Sequence, residues 1–448
     1  MIMRQYLIVV GLVIAAMGCK SGEDSVSCDT TGGAPLASLA QHSWPKFRRD
    51  VANSGQTTVD VSTNPGQTRW VFPPAGALGS LSASPIIGTD GTNDLVYLIA
   101  RGSDGSAQLR LYGIDRNGNS TAQPLDPELT TTLTSTPLLS ENGRIVAAFA
   151  DGAVREYDMS GEQISNRGVG GFISGSPNID REGTIYVASV TGTFGSVCAN
   201  GGARFIITVG GTQSSVGIAQ GANPDDVGDD TFILASGDSR VRAVNFRAEQ
   251  QWVFVASAPI QASVVVDEAN DRVYVADTAG RVFAVRLSDG QPCTDFRFDA
   301  GAPISASPAL GSATLYVAAE DGSVYALNLA GLTDDTCETG TPSNDVARWT
   351  FQAEAKIRSS PAVATGGDMP VVVFGDDDGV VHALADADTR ANELWSYRLD
   401  DGSAAGRSSP AIGSDGTVYI GSEGGHLYAI GSPAPATAAP TPTATPIP

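Results

Sequence analysis

The chain has 448 residues, of which 17% are charged and 52 are glycine, and its formal net charge at pH 7 is −22. This charge argues against nucleic acid as a partner, because phosphate binding needs a basic face, and against electrostatic docking on anionic lipid. Few charges and many glycines are typical of an all-β repeat protein with many tight turns.

The first residues have the features of an export signal. Arg4 supplies a positive charge, and the apolar run over residues 6–17 is too short to span a bilayer comfortably. The run ends in Ala16-Met17-Gly18-Cys19, which resembles the lipobox of bacterial lipoproteins, although leucine is usual at the position of Ala16. The resemblance implies that residues 1–18 are removed and that acyl chains on Cys19 anchor the protein. An ordinary signal peptide with an unmodified cysteine is the alternative.

Lys20 follows the predicted acylated cysteine. An aspartate at this position would favour retention in the inner membrane of a Gram-negative cell, so Lys20 favours the outer membrane. Residues 19–43 are mostly small and polar, and we predict that they form a flexible tether.

After the tether, one short phrase repeats through the chain. In its clearest copy, over residues 407–431, a Ser-Pro pair opens an apolar strand, an Asp-Gly turn leads to a second strand and a Gly-Gly turn leads to a third. The phrase occurs eight times at an average spacing of about 46 residues, which is typical of propeller blades. The copies begin at Ser84, Thr136, Ser176, Ser215, Ser263, Ser307, Ser360 and Ser409.

The strand after each Ser-Pro is predicted to be the innermost strand of its blade, because proline cannot donate to a sheet ladder and therefore occupies edges. A fourth, outermost strand carries an aromatic phrase, such as Gln251-Trp252-Val253-Phe254 or Leu394-Trp395-Ser396-Tyr397. These rings are expected to fill the widening gaps between blades. The stretch from Thr121 to Thr132 lacks a clear fourth strand, so we expect that blade to be irregular.

The order of the elements predicts how the ring closes. No aromatic strand follows the third strand of the last copy at Ile430, but the missing phrase stands ahead of the first copy as Arg69-Trp70-Val71-Phe72. The strand with Trp70 and Phe72 is therefore predicted to complete the last blade and to cover its open edge. The predicted fold is all-β: an eight-bladed propeller of four-stranded antiparallel blades over residues 44–431.

An acidic insert over residues 221–230 could hold Ca²⁺, which takes clustered carboxylates. Its candidate ligands are Asp225, Asp226, Asp229 and Asp230. Their spacing does not match the EF-hand loop, and a solvated turn is the favoured interpretation, so no metal is predicted.

Besides the predicted acylated Cys19, four cysteines remain after removal of the signal, and in an oxidising compartment they allow three pairings. Cys293 and Cys337 follow the third strands of successive units by similar offsets, so we predict that they lie on neighbouring loops and form a disulfide. The tail over residues 432–448 is rich in proline and threonine and is predicted to be disordered, with no assigned role.

The stretch Trp44-Pro45-Lys46-Phe47-Arg48-Arg49-Asp50 and phrases such as Tyr428-Ala429-Ile430 resemble the PQQ-like propeller-repeat family, named for pyrroloquinoline quinone. The resemblance covers residues 44–431. Family members that hold the quinone are dehydrogenases, but the vicinal Cys-Cys pair of the larger alcohol-oxidising enzymes is missing here. Arg286 and Ala385 replace the family's aspartate in two units. No quinone, no other cofactor and no enzymatic activity are therefore predicted.

Other catalytic patterns are missing from the sequence as well. His42, His382 and His426 are not at a metal-binding spacing, and the last two are predicted to pack between blades. The chain has no serine elbow and no phosphate loop of the Walker type.

The resemblance extends to the non-catalytic, lipid-anchored branch of the family, which includes a component of the outer-membrane barrel-assembly machinery. It implies an exported monomer that acts as a scaffold for protein–protein interaction in the cell envelope, with outer-membrane protein assembly as its specific form. A surface module that binds carbohydrate or another extracellular ligand is the alternative, and a quinone-dependent dehydrogenase is the third. The sequence leaves open which partner binds and which face binds it.

Overall fold

The computed structural model describes residues 38–89, 91–102, 108–125, 131–198, 206–223, 227–330, 332 and 346–433. Within these residues, thirty-three strands form eight sheets, and the helices are two short 3-10 turns, Val227–Asp229 and Glu268–Asn270. None of the helices in this part of the chain is long and apolar enough to cross a membrane. Two strands precede the first repeat, β1 (Gln56–Thr57) and β2 (Thr68–Phe72).

The first four blades follow one another along the chain. Blade 1 contains β3 (Ile86–Thr89), β4 (Asp94–Arg101), β5 (Leu109–Ile114) and β6 (Ser120–Pro124). Blade 2 contains β7 (Leu138–Leu139), β8 (Ile145–Ala148), β9 (Ala153–Tyr157) and β10 (Gln163–Gly168). Blade 3 contains β11 (Asn178–Ile179), β12 (Ile185–Ala188), β13 (Thr193–Val197) and β14 (Ile206–Thr208). Blade 4 contains β15 (Gly217–Ala219), β16 (Thr231–Ala235), β17 (Arg240–Asn245) and β18 (Gln250–Val255).

The remaining blades repeat the pattern. Blade 5 contains β19 (Val265–Asp267), β20 (Arg272–Ala276), β21 (Arg281–Arg286) and β22 (Pro292–Asp299). Blade 6 contains β23 (Ala309–Leu310), β24 (Thr314–Ala318), β25 (Ser323–Asn328) and β26 (Ala347–Gln352). Blade 7 contains β27 (Ala362–Ala364), β28 (Val371–Gly375), β29 (Val380–Asp386) and β30 (Ala391–Arg398). Blade 8 contains β31 (Ala411–Ile412), β32 (Val418–Gly421) and β33 (Leu427–Ile430).

The eight sheets confirm the predicted propeller. In seven blades the strand that follows the repeat's first serine or threonine lies at one edge of the sheet. In blade 7 that strand, β27, is covered by β1, which pairs with it in parallel and makes this sheet five-stranded. These first strands approach each other between neighbouring blades, including β31 of blade 8 and β3 of blade 1. They therefore line the centre of the ring, as the proline argument predicts.

The predicted closure is also confirmed. Strand β2 pairs antiparallel with β33, and blade 8 has the order β2-β33-β32-β31. Trp70 lies opposite Ala429, and Phe72 lies opposite Leu427. The edge that β33 would expose is thus covered by a strand from the other end of the chain.

The expectation of an irregular first blade was wrong. Residues 120–124 form β6, which pairs in continuous register with β5 from Ser120 opposite Ile114 to Pro124 opposite Arg110. Strand β6 forms although it lacks the aromatic phrase, because its formation depends on backbone pairing with β5 more than on intrinsic propensity.

Tryptophans on the outer strands join neighbouring blades. The indole N–H of Trp252 in blade 4 donates to the carbonyl of Leu287 after β21 of blade 5, at 2.7 Å. Trp70 in blade 8 reaches the carbonyl of Arg116 in blade 1, at 3.1 Å. All these indole rings are at least nine-tenths buried, so the aromatic phrase fills the gaps between blades, as predicted.

Candidate functional site at the open mouth of the channel

One end of the central channel is closed by residues 38–57, which we call the plug. Its backbone carbonyls accept hydrogen bonds from the first strands of six blades in turn. The donors are the N–H groups of Ile87, Leu139, Ile218, Val266, Leu310 and Val363, and the acceptors are Trp44, Pro45, Val51, Ala52, Ser54 and Gly55. Blade 3 joins through the Asn178 side chain, which donates to the Val51 carbonyl at 2.8 Å. The plug thus contacts blades 1 to 7 around the ring.

Two buried cations stabilise the plug. The Lys46 ammonium donates to the carbonyls of Phe47 and Asp50 and to the Asn53 side chain, at 2.7, 2.8 and 2.7 Å. Burial lowers the pKa of Lys46 to about 7, and the carboxylate of Asp50 opposes this shift. Asn53 in turn donates to the carbonyl of Val216 at 3.1 Å, which ties this cluster to blade 4.

Arg48 carries the second buried charge. Its guanidinium donates to the carbonyls of Pro308 and Pro361, the prolines that open the first strands of blades 6 and 7. Gly55 has a φ of 64° and leaves room for this side chain, because a Cβ on it would lie 2.1 Å from an Arg48 nitrogen. The plug is therefore an integral part of the folded propeller.

The opposite end of the channel is open, and its inner wall is a ring of hydroxyl groups, one from each blade. The first residue of each repeat donates its backbone N–H to the side-chain oxygen of the equivalent residue in the next blade, at 2.9 to 3.0 Å. The ring runs through Ser84, Thr136, Ser176, Ser215, Ser263, Ser307, Ser360 and Ser409, and the bond from Ser409 to Ser84 closes it. The repeated serine therefore joins each blade to the next.

A second ring stands nearer to solvent, two residues before each member of the first. Its eight side chains all line one cavity of about 200 Å³. They are Ser82, Thr134, Ser174, Gln213, Gln261, Ser305, Arg358 and Arg407. We call this cavity the mouth. Phe47 is the plug residue in its lining, so the plug forms the floor.

The two arginines of the mouth lie in the neighbouring blades 7 and 8 and differ in their surroundings. The Nε of Arg358 is 2.9 Å from an oxygen of Asp377, and a second nitrogen is 3.4 Å from Glu423. The hydrogen bond with Asp377 raises the pKa of Arg358 further. Arg407 is exposed and has no hydrogen bond or ion pair within the described part of the chain.

A histidine between two carboxylates lies at the interface of blades 6 and 7. His382 Nδ1 is 2.9 Å from Glu393, and its Nε2 is 3.4 Å from the buried Asp376. Its ring stacks on Phe374 and meets Phe351 of blade 6 edge-on. His382 therefore packs between blades, as predicted. Burial alone would lower the pKa of His382, but the hydrogen bonds to Asp376 and Glu393 raise it above the ordinary value.

We expect a pH-dependent loss of stability when His382 is replaced by phenylalanine. Because the folded-state pKa is raised, the stabilisation is fully present below the unfolded value of about 6.5 and is lost as pH rises through the folded value. The unfolding midpoint of H382F should therefore fall furthest below that of the native protein near pH 5, with a smaller difference at pH 9. An H42F variant is the control, because His42 has no ion pair among the described residues. A difference that is constant with pH would contradict the prediction.

Two of the four candidate calcium ligands, Asp229 and Asp230, lie within the described residues. Asp225 and Asp226 lie outside the described residues. The Asp230 carboxylate forms an ion pair with Arg181 and accepts the Gly221 N–H at 2.8 Å, and burial raises its pKa. Within the described ranges, no group of three or more His, Cys, Asp or Glu side chains could hold a metal ion.

The cysteine predictions fall largely on residues that are not described. Cys293 is disulfide-bonded, and so is Cys198. Cys19, Cys28 and Cys337 lie outside the described residues, so the Cys293–Cys337 pairing and the acylation of Cys19 stay predictions.

The sequence reading missed the arginines of the mouth, although a signal for them exists. Both stand in the same phrase, Arg-Ser-Ser-Pro, at Arg358 and Arg407. The other six copies have Ser, Thr or Gln at that position. A comparison of the repeats position by position would have singled out these two charges.

The mouth fits a quinone cofactor poorly. Its volume of about 200 Å³ lies below the range of about 300–1,000 Å³ that small-molecule sites usually occupy. Its lining is mostly hydroxyl and amide groups, and the described residues offer no metal-binding trio beside it.

Comparisons with known proteins agree with this architecture. The sequence profile of the family described as outer membrane protein assembly factor BamB matches residues 150–329 and 297–433. BamB from Moraxella catarrhalis is similar in structure, with 14% identity and a TM-score of 0.57 over 80% of this chain and 97% of that one. No curated protein matches the sequence significantly.

Two further solved structures share the fold. A europium-containing methanol dehydrogenase has 13% identity and a TM-score of 0.60, over 85% of this chain and 89% of that one. The computationally designed Ika8 protein has 14% identity and a TM-score of 0.59, over 82% and 100%. At these identities the likeness is one of fold, and it extends to an enzyme and to a designed protein alike.

Proposed function

Because this chain belongs to the family of the outer membrane protein assembly factor BamB, a family of protein-interaction propellers, we propose that it is a non-enzymatic, lipid-anchored scaffold of the bacterial cell envelope. In its specific form the scaffold serves outer-membrane protein assembly. The observation that carries the proposal is the difference between the two ends of the channel. One end is filled by the chain itself, and the other presents an open polar mouth.

The chain ends support an orientation on the membrane. Ser38, where the described chain begins, accepts a hydrogen bond from Glu141 in the turn between β7 and β8. Pro433, where it ends, lines the same cavity as Asp415 in the turn between β31 and β32. These turns are equivalent in their blades, so Ser38 and Pro433 both lie at the plugged end.

A lipid on Cys19 would therefore hold the plugged end toward the membrane. The linker from residue 19 to residue 38 spans at most roughly 65 Å when fully extended. The mouth would face away from the bilayer and would be free to meet a partner. We therefore expect the docking surface on the turns that join the second and third strands of the blades, around the mouth.

Replacement of Cys19 by serine should release the protein from the membrane. Without the thiol no acyl chain can be attached, and the polar tether offers no other apolar anchor. We expect C19S, exported behind an ordinary cleavable signal peptide in place of residues 1–18, in the soluble fraction after cell lysis and without label from radioactive palmitate. C28S, which removes a nearby cysteine of the same tether, is the control and should stay membrane-bound. Membrane-bound, labelled C19S would contradict the lipid anchor.

The scaffold role itself is tested by purification of the native lipoprotein from envelope membranes under mild detergent. Co-purification of the outer-membrane assembly machinery in stoichiometric amount is the expected result. Recovery of the propeller alone, from cells in which that machinery is intact, would count against the specific role.

A further inference from the structure

We propose that the mouth recognises a carboxylate side chain of the partner protein through Arg407. This inference rests on the proposed scaffold function and names the chemistry of its docking site. Arg407 is an exposed member of the second ring, and its charge has no partner among the described residues. In a chain with 49 acidic and 27 basic residues, this exposed guanidinium in the lining of the open end is available to bind an anion.

The surroundings of Arg407 are suited to an anion. Its neighbours around the second ring are Ser82 in blade 1, which offers a hydroxyl group, and Arg358 in blade 7, whose guanidinium is already paired with carboxylates. The carboxylates of Asp377 and Glu423 form ion pairs with Arg358, and none of the ion pairs among the described residues involves Arg407. A guanidinium binds carboxylate through two parallel hydrogen bonds, and the hydroxyls of the ring can donate further ones.

The volume of the mouth indicates which kind of molecule carries the carboxylate. A cavity of about 200 Å³ holds one or two side chains and is smaller than typical small-molecule sites of about 300–1,000 Å³. Phosphate groups of a membrane are disfavoured, because both ends of the described chain lie at the plugged end. The occupant that fits is therefore a glutamate or aspartate on a projecting loop of a protein.

The experiment uses two dye-labelled peptides, Gly-Ser-Gly-Glu-Gly-Ser-Gly and the same peptide with glutamine, blocked at both ends. Binding to the native protein is measured by thermophoresis. We expect the glutamate peptide to bind about tenfold more tightly, as one charge-assisted contact predicts. R407Q should abolish this preference, and R407K should keep part of it, because lysine retains the charge but loses the planar fork.

R398Q is the matched control. Arg398 is exposed at the same end of the propeller and donates to the carbonyl of Asp378 at 2.8 Å, but it does not line the mouth. Its removal changes the net charge equally and should leave the preference intact. Equal binding of both peptides by the native protein, or an equal loss in R398Q and R407Q, would overturn the proposal.

A second readout needs no variant. Phenylglyoxal should modify Arg407 rapidly, and the glutamate peptide should protect it, as mass spectrometry can show. Equal protection by inorganic phosphate at the same concentration would overturn the carboxylate assignment in favour of a general anion site.

The scaffold proposal and the carboxylate-site proposal can be contradicted independently of each other. If the assembly machinery co-purifies equally with R407Q and with the native protein, the scaffold stands and the carboxylate site falls. If nothing co-purifies but the peptides are distinguished as expected, the carboxylate site stands and the scaffold role falls.

Discussion

A protein truncated through Phe72 should fail to form the closed ring. The truncation removes β2, which covers the edge of β33, and it also removes the plug, which contacts seven blades. The buried rings of Trp70 and Phe72 would be lost as well. We expect an aggregated or unfolded product, seen as loss of the monomer peak in gel filtration and of a cooperative thermal transition.

A milder variant tests the contribution of the closing strand while the plug stays in place. W70A keeps the backbone but leaves a cavity between blades 8 and 1, and such a change costs about 3–5 kcal/mol. Deletion of residues 434–448, at the other end of the chain, is the control and should leave the unfolding midpoint where it is. An unchanged midpoint in the protein truncated through Phe72 would rule out closure by β2.

Replacement of Arg48 by methionine should be the most damaging single change in the plug. The carbonyls of Pro308 and Pro361 would lose their charged donor. Each hydrogen bond to a charged group contributes about 1.5–3 kcal/mol, so we expect a loss of about 3 kcal/mol or more. Methionine keeps most of the apolar volume, which confines the effect to the lost polar contacts. Urea unfolding followed by tryptophan fluorescence measures it.

Arg49 provides the matched control for this change. It is the next residue and is partly exposed, and its ion pair with Asp50 is long, at 3.7 Å. Surface changes of this kind usually stay within about 0.5 kcal/mol. If R48M and R49M lose stability equally, the plug does not depend on the buried guanidinium of Arg48.

The parts of the fold that the sequence predicts are those that repeat. One repeated phrase predicts the number of blades, the order of the strands and the inner position of the Ser-Pro strand, because each strand and turn is encoded within a few residues. The closing strand could be predicted too, since the aromatic phrase missing after Ile430 stands at Trp70. Blade 1 was misjudged because β6 carries no such phrase and depends on pairing with β5.

The candidate site was harder to see. Arg358 and Arg407 stand in identical phrases, and nothing local says that Arg358 is paired and Arg407 is not. The partners of Arg358 are Asp377, on the following turn of the same blade, and Glu423, on the turn of the next blade. Whether each arginine has a carboxylate partner depends on turns that only the folded ring brings together.

By itself, the sequence of this protein determined a ring of eight blades, an edge that needs covering and an acidic net charge. Strand period, turn residues and charge are local properties that can be read in order. Only the tertiary structure decided which end of the channel is open. The plug has no period, and its hydrogen bonds join residues as far apart as Arg48 and Pro361, so their energy exists only once the ring has formed.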